Sequence, residues 1–162
     1  MGTKRKKKTA ASVNAFKTAV EKTPDVAGGY RVGLQAIESA DITAIKVKNT
    51  RSVNGSLNID KETHDLYPNS PRWDYAVSYA SKVHYIEVHP ASTSNISEMS
   101  KKKKWLLEWL CTKAPLLNSL PSGSPRLHWA ATEAGIHISK QSSDQRKLAQ
   151  LGIIPKRPVV LG

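Results

Sequence analysis

Cysteine is almost missing from this chain: Cys111 stands alone. No internal disulfide can form, and among its apolar neighbours Cys111 reads as a small core residue rather than a nucleophile. A reducing, cytoplasmic setting is the matching expectation. Long apolar runs are missing too. Nothing approaches the roughly 20 residues that cross a bilayer, and no apolar signal core follows the basic N-terminus, so a soluble protein with no membrane partner is expected. There is no second cysteine to complete a zinc site, no nucleophile-elbow motif for a serine hydrolase, and no internal repeat. Acidic residues are scarce: 13 Asp and Glu stand against 25 Lys and Arg, a formal charge of +12. That balance favours polyanionic partners, nucleic acid first.

The 162 residues make one domain of ordinary size. Residues 1–11, with Lys4, Arg5, Lys6, Lys7 and Lys8, lack hydrophobic periodicity and read as a disordered basic arm, serving either phosphate contact or solubility alone. A single domain is expected over 12–154, and 155–162 reads as a basic, proline-containing tail. Val13, Phe16, Ala19 and Val20 have helical spacing after a Ser12 cap. A second helix is expected over 26–39, against the counsel of Gly28, Gly29 and Gly33. A first strand follows over 42–47. The stretch 49–69 is turn-rich, with a hairpin turn at Asn54-Gly55 and a short strand at 57–59.

Chemistry concentrates in residues 71–89. Trp73 to Tyr79 and Val83 to Val88 are aromatic and β-branched, and Ala80, Ser81 and Lys82 join them as a hairpin. Within these strands Asp74 and Glu87 are out of place, because a buried carboxylate is costly unless a cation or hydrogen-bond donors meet it. Alternation puts Tyr85, Glu87 and His89 on one face and His84, Ile86 and Val88 on the other. Asp74 and Glu87 then meet at one end of the hairpin, a hard oxygen site suited to Mg²⁺ or Mn²⁺. Zinc held by His84, Glu87, His89, His128 and His137 is disfavoured, since His84 and His89 point to opposite faces.

A helix is expected from Asn95 to about Thr112, its core face set by Met99, Leu106, Leu107 and Leu110. Lys101, Lys102, Lys103 and Lys104 load its first turns with charge that opposes the helix dipole, so either an anion meets them or they form a solvated face. Residues 115–125 read as a loop, 126–132 as a strand with a turn at 133–135, and a last helix starts near Ser142 and stops at Gly152. Trp73, Trp105, Trp109 and Trp129 read as core or groove-lining residues ahead of a protein interface.

Pro71-Arg-Trp-Asp74 followed by Glu87-Val88-His89 resembles the signature of the PD-(D/E)XK nuclease superfamily, with histidine where the family usually has lysine. The resemblance implies an α/β fold of the restriction-endonuclease-like type, a central mixed sheet flanked by helices with an α-β-β-β-α-β core. It implies metal ligation by Asp74, Glu87 and the Val88 carbonyl, with Glu38 as a further acidic ligand or a solvent-facing residue. Catalysis would fall to Asp74, Glu87 and His89, with one of Lys101–Lys104 replacing the missing lysine. The function implied is a metal-dependent endonuclease, acting on DNA ahead of RNA and as a homodimer if two strands are cut. The alternative is a non-catalytic nucleic-acid-binding or assembly protein on the same fold.

Overall fold

The computed structural model describes residues 14–162. Lys4, Arg5, Lys6, Lys7, Lys8 and the Ser12 cap lie outside them. Helix α1 (Ala15–Glu21) is capped by Asn14, whose Oδ1 accepts from the Lys17 amide at 3.0 Å, satisfying a donor that the first turn leaves free. The helix expected over 26–39 does not form. A 3₁₀ turn at Pro24–Val26 leads into turns and bends, with Gly33 at φ 55, and Arg31 bridges to Ser56. Glycine's backbone freedom outweighs the apolar spacing.

The expected first strand shrinks to β1 (Ile45–Val47). Turn-rich 49–69 contains instead β2 (Val53–Asn58) and the short α2 (Ile59–Thr63). Asn54-Gly55 is not a hairpin turn: the β2 register shifts between Val53 and Gly55, as at a bulge. Next come β3 (Tyr75–Tyr79) and β4 (Lys82–Ser92). Their turn is two residues, Ala80 and Ser81, at φ 48 and 62, the left-handed pair that matches strand twist in tight hairpins. Asn54 Oδ1 steadies the turn by accepting from the Ser81 amide at 2.8 Å.

Helix α3 (Asn95–Thr112) buries Ile96, Met99, Leu106, Trp109 and Leu110. Part of the 115–125 loop becomes α4 (Pro115–Asn118). In place of the turn expected at 133–135, β5 (Ser122–His137) continues through these residues with a bulge: its register on β4 shifts between Ala131, opposite His89, and Ile136, opposite Ala91, and Gly135 takes φ 82. Helix α5 (Ser142–Leu151) ends at Gly152, φ 72. The last eight residues are not a tail: β6 (Pro155–Lys156) joins β5, and β7 (Val159–Leu161) pairs in parallel with β1. Burial of Val159 and Leu161 fixes the segment.

The protein is therefore a mixed α/β fold. Its central sheet has the order β2-β3-β4-β5-β6, antiparallel through β4 and parallel beyond. One face packs Tyr85 and Trp129 against Phe16, Leu106 and Trp109 of the helices. The other packs Tyr75, Val77 and Ile86 against Ile45, Val159 and Leu161. Among the described residues no helix is long and apolar enough to cross a membrane.

Candidate active site

Asp74 precedes β3, whose first residue, Tyr75, pairs with Ile86. Antiparallel pairing thus sets Asp74 beside Glu87, and each carboxylate accepts from a backbone amide on the other's side of the pairing. The Asp74 amide donates to Glu87 Oε2 at 2.8 Å, and the Val88 amide donates to Asp74 Oδ2 at 3.0 Å. Each carboxylate is oriented by the other's strand, which is the preorganisation a metal or catalytic site needs. A strand residue directs its N–H and C=O to the same side, so the Val88 carbonyl also faces the Asp74 side, where β4 has run past the start of β3.

Of the four consecutive lysines, Lys102 enters this site. Its Nζ lies 2.6 Å from Glu87 Oε1 and donates to the Arg72 carbonyl at 3.0 Å. Lys103 turns to the Leu151 carbonyl at 2.7 Å, and Lys101 and Lys104 are exposed. The helical phase of α3 explains the choice. Lys102 and Lys103 share the stripe of Met99, Leu106 and Leu110, while Lys101 and Lys104 fall outside it.

Two carboxylates against one ammonium leave one negative charge uncompensated in a buried place. Burial, then the Asp74 charge, pushes the Glu87 carboxyl up to about 8. Burial likewise raises Asp74 to about 6, although Lys102 and the Val88 amide pull the other way. Burial alone would lower the Lys102 pKa; the charge of Glu87, its hydrogen bond and the charge of Asp74 raise it above the ordinary lysine value. The carboxylates titrate as one coupled unit that holds a proton near neutrality.

Such a site fits a divalent cation. Its donors are hard oxygens, its charge is negative by one once the shared proton is displaced, and Asp74 Oδ1 makes no hydrogen bond among the described residues. Also among the described residues, no cluster of three or more His, Cys, Asp or Glu side chains gathers, so further coordination would come from the Val88 carbonyl and water.

The other expected residues lie elsewhere. His89 shares the Glu87 face, but its Nδ1 faces the Pro90 carbonyl at 3.0 Å and its Nε2 faces Glu98 Oε2 at 3.2 Å. Both ring nitrogens are occupied, and neither is free to take a proton from water in this arrangement. Glu38 is exposed and meets the core through its amide, which donates to the Tyr75 hydroxyl at 3.3 Å. That hydroxyl donates to Asp41 Oδ2 at 2.6 Å.

Sequence reasoning passed over Arg72. Its Nε lies 2.8 Å from Asp60 Oδ1, its Nη1 donates to the Tyr67 carbonyl at 2.7 Å, and its own carbonyl receives Lys102. Arg72 braces the loop that delivers Asp74. An arginine two residues before a strand carboxylate is the signal that was there to use. Comparison of the chain with protein-family models, with curated proteins and with solved structures finds no match.

Proposed function

We propose that the protein is a Mg²⁺- or Mn²⁺-dependent nucleic-acid phosphodiesterase, an endonuclease acting on DNA, built on a restriction-endonuclease-like fold. The observation that carries this reading is the convergence of Asp74 and Glu87, which accept from the Val88 and Asp74 amides respectively, with the Lys102 ammonium on Glu87. Support for the fold type is the succession of α1, the antiparallel β2, β3 and β4, then α3 and the parallel β5.

Asp74, Glu87 and the Val88 carbonyl would hold the ion, which when bound polarises a phosphoryl oxygen and lowers the pKa of the attacking water. Lys102 takes the part that lysine in the third motif position would play. Its ammonium is largely withdrawn from solvent, where a charge counts for more than it does in water, and it offsets negative charge as the phosphate becomes pentacovalent. His89 acts as a positioning residue, holding Glu98 and so the first turn of α3 against β4. The exposed Lys101 and Lys104, with the basic arm from Lys4 to Lys8, contact phosphates beside the scissile bond and give affinity without base readout.

The occupied nitrogens of His89 favour one alternative, a non-catalytic nucleic-acid-binding or assembly protein on the same fold. Labelled single-stranded, duplex and branched DNA and RNA, incubated with Mg²⁺ or Mn²⁺, separate the two. Metal-dependent product that disappears in Glu87→Ala supports the nuclease. Salt-dependent binding unaffected by EDTA, with no product from any substrate, selects the binding protein.

A further inference from the structure

On the sheet face opposite the carboxylate pair, a cavity of about 610 Å³ opens beside the β3–β4 turn, within the size range of small-ligand sites. Neighbouring strands β4 and β5 turn His84 and His128 to this face, and His84 Nδ1 lies 2.9 Å from His128 Nε2. One of these two nitrogens donates to the other, and His84 Nε2 is left to donate or to accept according to which tautomer the pair holds. Gly123 makes this arrangement possible, because a side chain there would collide with the His84 ring.

Lys82 and Lys156 also line the cavity, and among its described lining residues there is no Asp or Glu side chain. Both lysines act on the imidazoles: burial first, then Lys82, lowers the His84 pKa, and burial, His84 and Lys156 lower His128 to about 4. Pro125, Pro158 and Val160 form an apolar wall. The cavity thus combines two fixed positive charges, a histidine hydrogen-bonding group and a dry side.

We propose that this cavity binds a small phosphate monoester of mononucleotide size, through Lys82, Lys156 and the His84–His128 pair. The lysines meet the phosphate oxygens, His84 donates Nε2–H to a further phosphate oxygen while its Nδ1 accepts from His128 Nε2, and the apolar wall covers the ligand's planar body. The phosphate belongs to a free nucleotide or to a phosphorylated nucleic-acid end. This site is independent of the carboxylate pair and stands whether or not the protein cleaves nucleic acid.

Calorimetric titration of the full chain with AMP, adenosine, inorganic phosphate and a 5′-phosphorylated oligothymidylate tests it. AMP should bind at least about tenfold more tightly than adenosine. The exposed-residue variant Lys156→Ala should weaken AMP by about tenfold with an unchanged melting temperature, and His84→Gln should weaken AMP by a similar factor. Tighter binding of the oligonucleotide than of AMP assigns the phosphate to a nucleic-acid end, and the reverse assigns it to a free nucleotide. Equal affinity for AMP and adenosine, or no binding of either, overturns the proposal. So does uptake of Zn²⁺ or Ni²⁺ that His84→Gln abolishes without any phosphate binding, which would make the histidine pair a metal site.

Discussion

Lys102→Ala lowers metal-dependent cleavage by roughly 10²- to 10³-fold, the loss expected when a preorganised charge at a transition state is removed. Lys101→Ala and Lys104→Ala, one and two residues away, change the chemical step little. They weaken binding about equally across sequences and reduce the salt slope by about one each. The contrast follows from helix phase: Lys102 lies 2.6 Å from Glu87 Oε1, its side chain 16% exposed, while its two neighbours face solvent. Asp74→Ala and Glu87→Ala should reduce cleavage to background. Single-turnover rates at saturating protein separate the two kinds of lysine. Equal losses at all of the lysines would reduce the cluster to a general phosphate-binding face.

In the absence of divalent metal, stability falls by about 2 kcal/mol between pH 6.5 and pH 8, a slope approaching 1.4 kcal/mol per unit for one proton. The sign follows from Glu87, whose carboxyl is raised from 4.5 to about 8 by burial and by Asp74. Between those values the folded chain holds a proton that the unfolded chain has lost, so raising the pH favours unfolding. Below pH 6.5 the picture is mixed. Asp74, raised to about 6, gives the same slope. His128, lowered to about 4, gives the opposite one, because the unfolded histidine takes up a proton first. Above pH 6.5 the Glu87 proton dominates. Denaturant melts in EDTA across this range should show the decline, and Glu87→Gln should flatten it. A wild-type profile already flat from pH 6.5 to 8 would mean that Glu87 is ionised and fully paired by Lys102.

Local signals in the sequence account for the parts of the fold nearest this site. The hairpin of β3 and β4 is legible because its strands are dense in aromatic and β-branched residues. Helix α3 is legible because its apolar stripe is regular from Met99 to Leu110. Gly152 marks the end of α5 for the steric reason that glycine alone accepts its left-handed conformation freely. The pairing of β1 with β7 joins segments far apart in the chain, Ile45–Val47 with Val159–Leu161, and nothing local in Pro155–Leu161 announces it. In 26–39, three glycines outweigh an apolar spacing that reads as helix. At the candidate site, Asp74 and Glu87 are conspicuous as carboxylates in apolar strands, and the structure brings them together. The phase of the α3 stripe narrows four adjacent lysines to Lys102 and Lys103, and only the docking of α3 sends Lys102 to Glu87 and Lys103 to the Leu151 carbonyl. The engagement of His89 by Glu98 and Pro90 depends on how α3 docks on β4, which strand alternation does not reveal.

The central claim is that Asp74 and Glu87 together form a cation site whose charge Lys102 only half balances. Calorimetric titration with Mn²⁺ at pH 7, in two buffers of different ionisation enthalpy, tests it most directly. The account predicts saturable binding accompanied by proton release, because the ion displaces the proton held by the pair, and loss of that binding in Asp74→Asn and in Glu87→Gln. Mn²⁺ binding of unchanged affinity in both variants would contradict it.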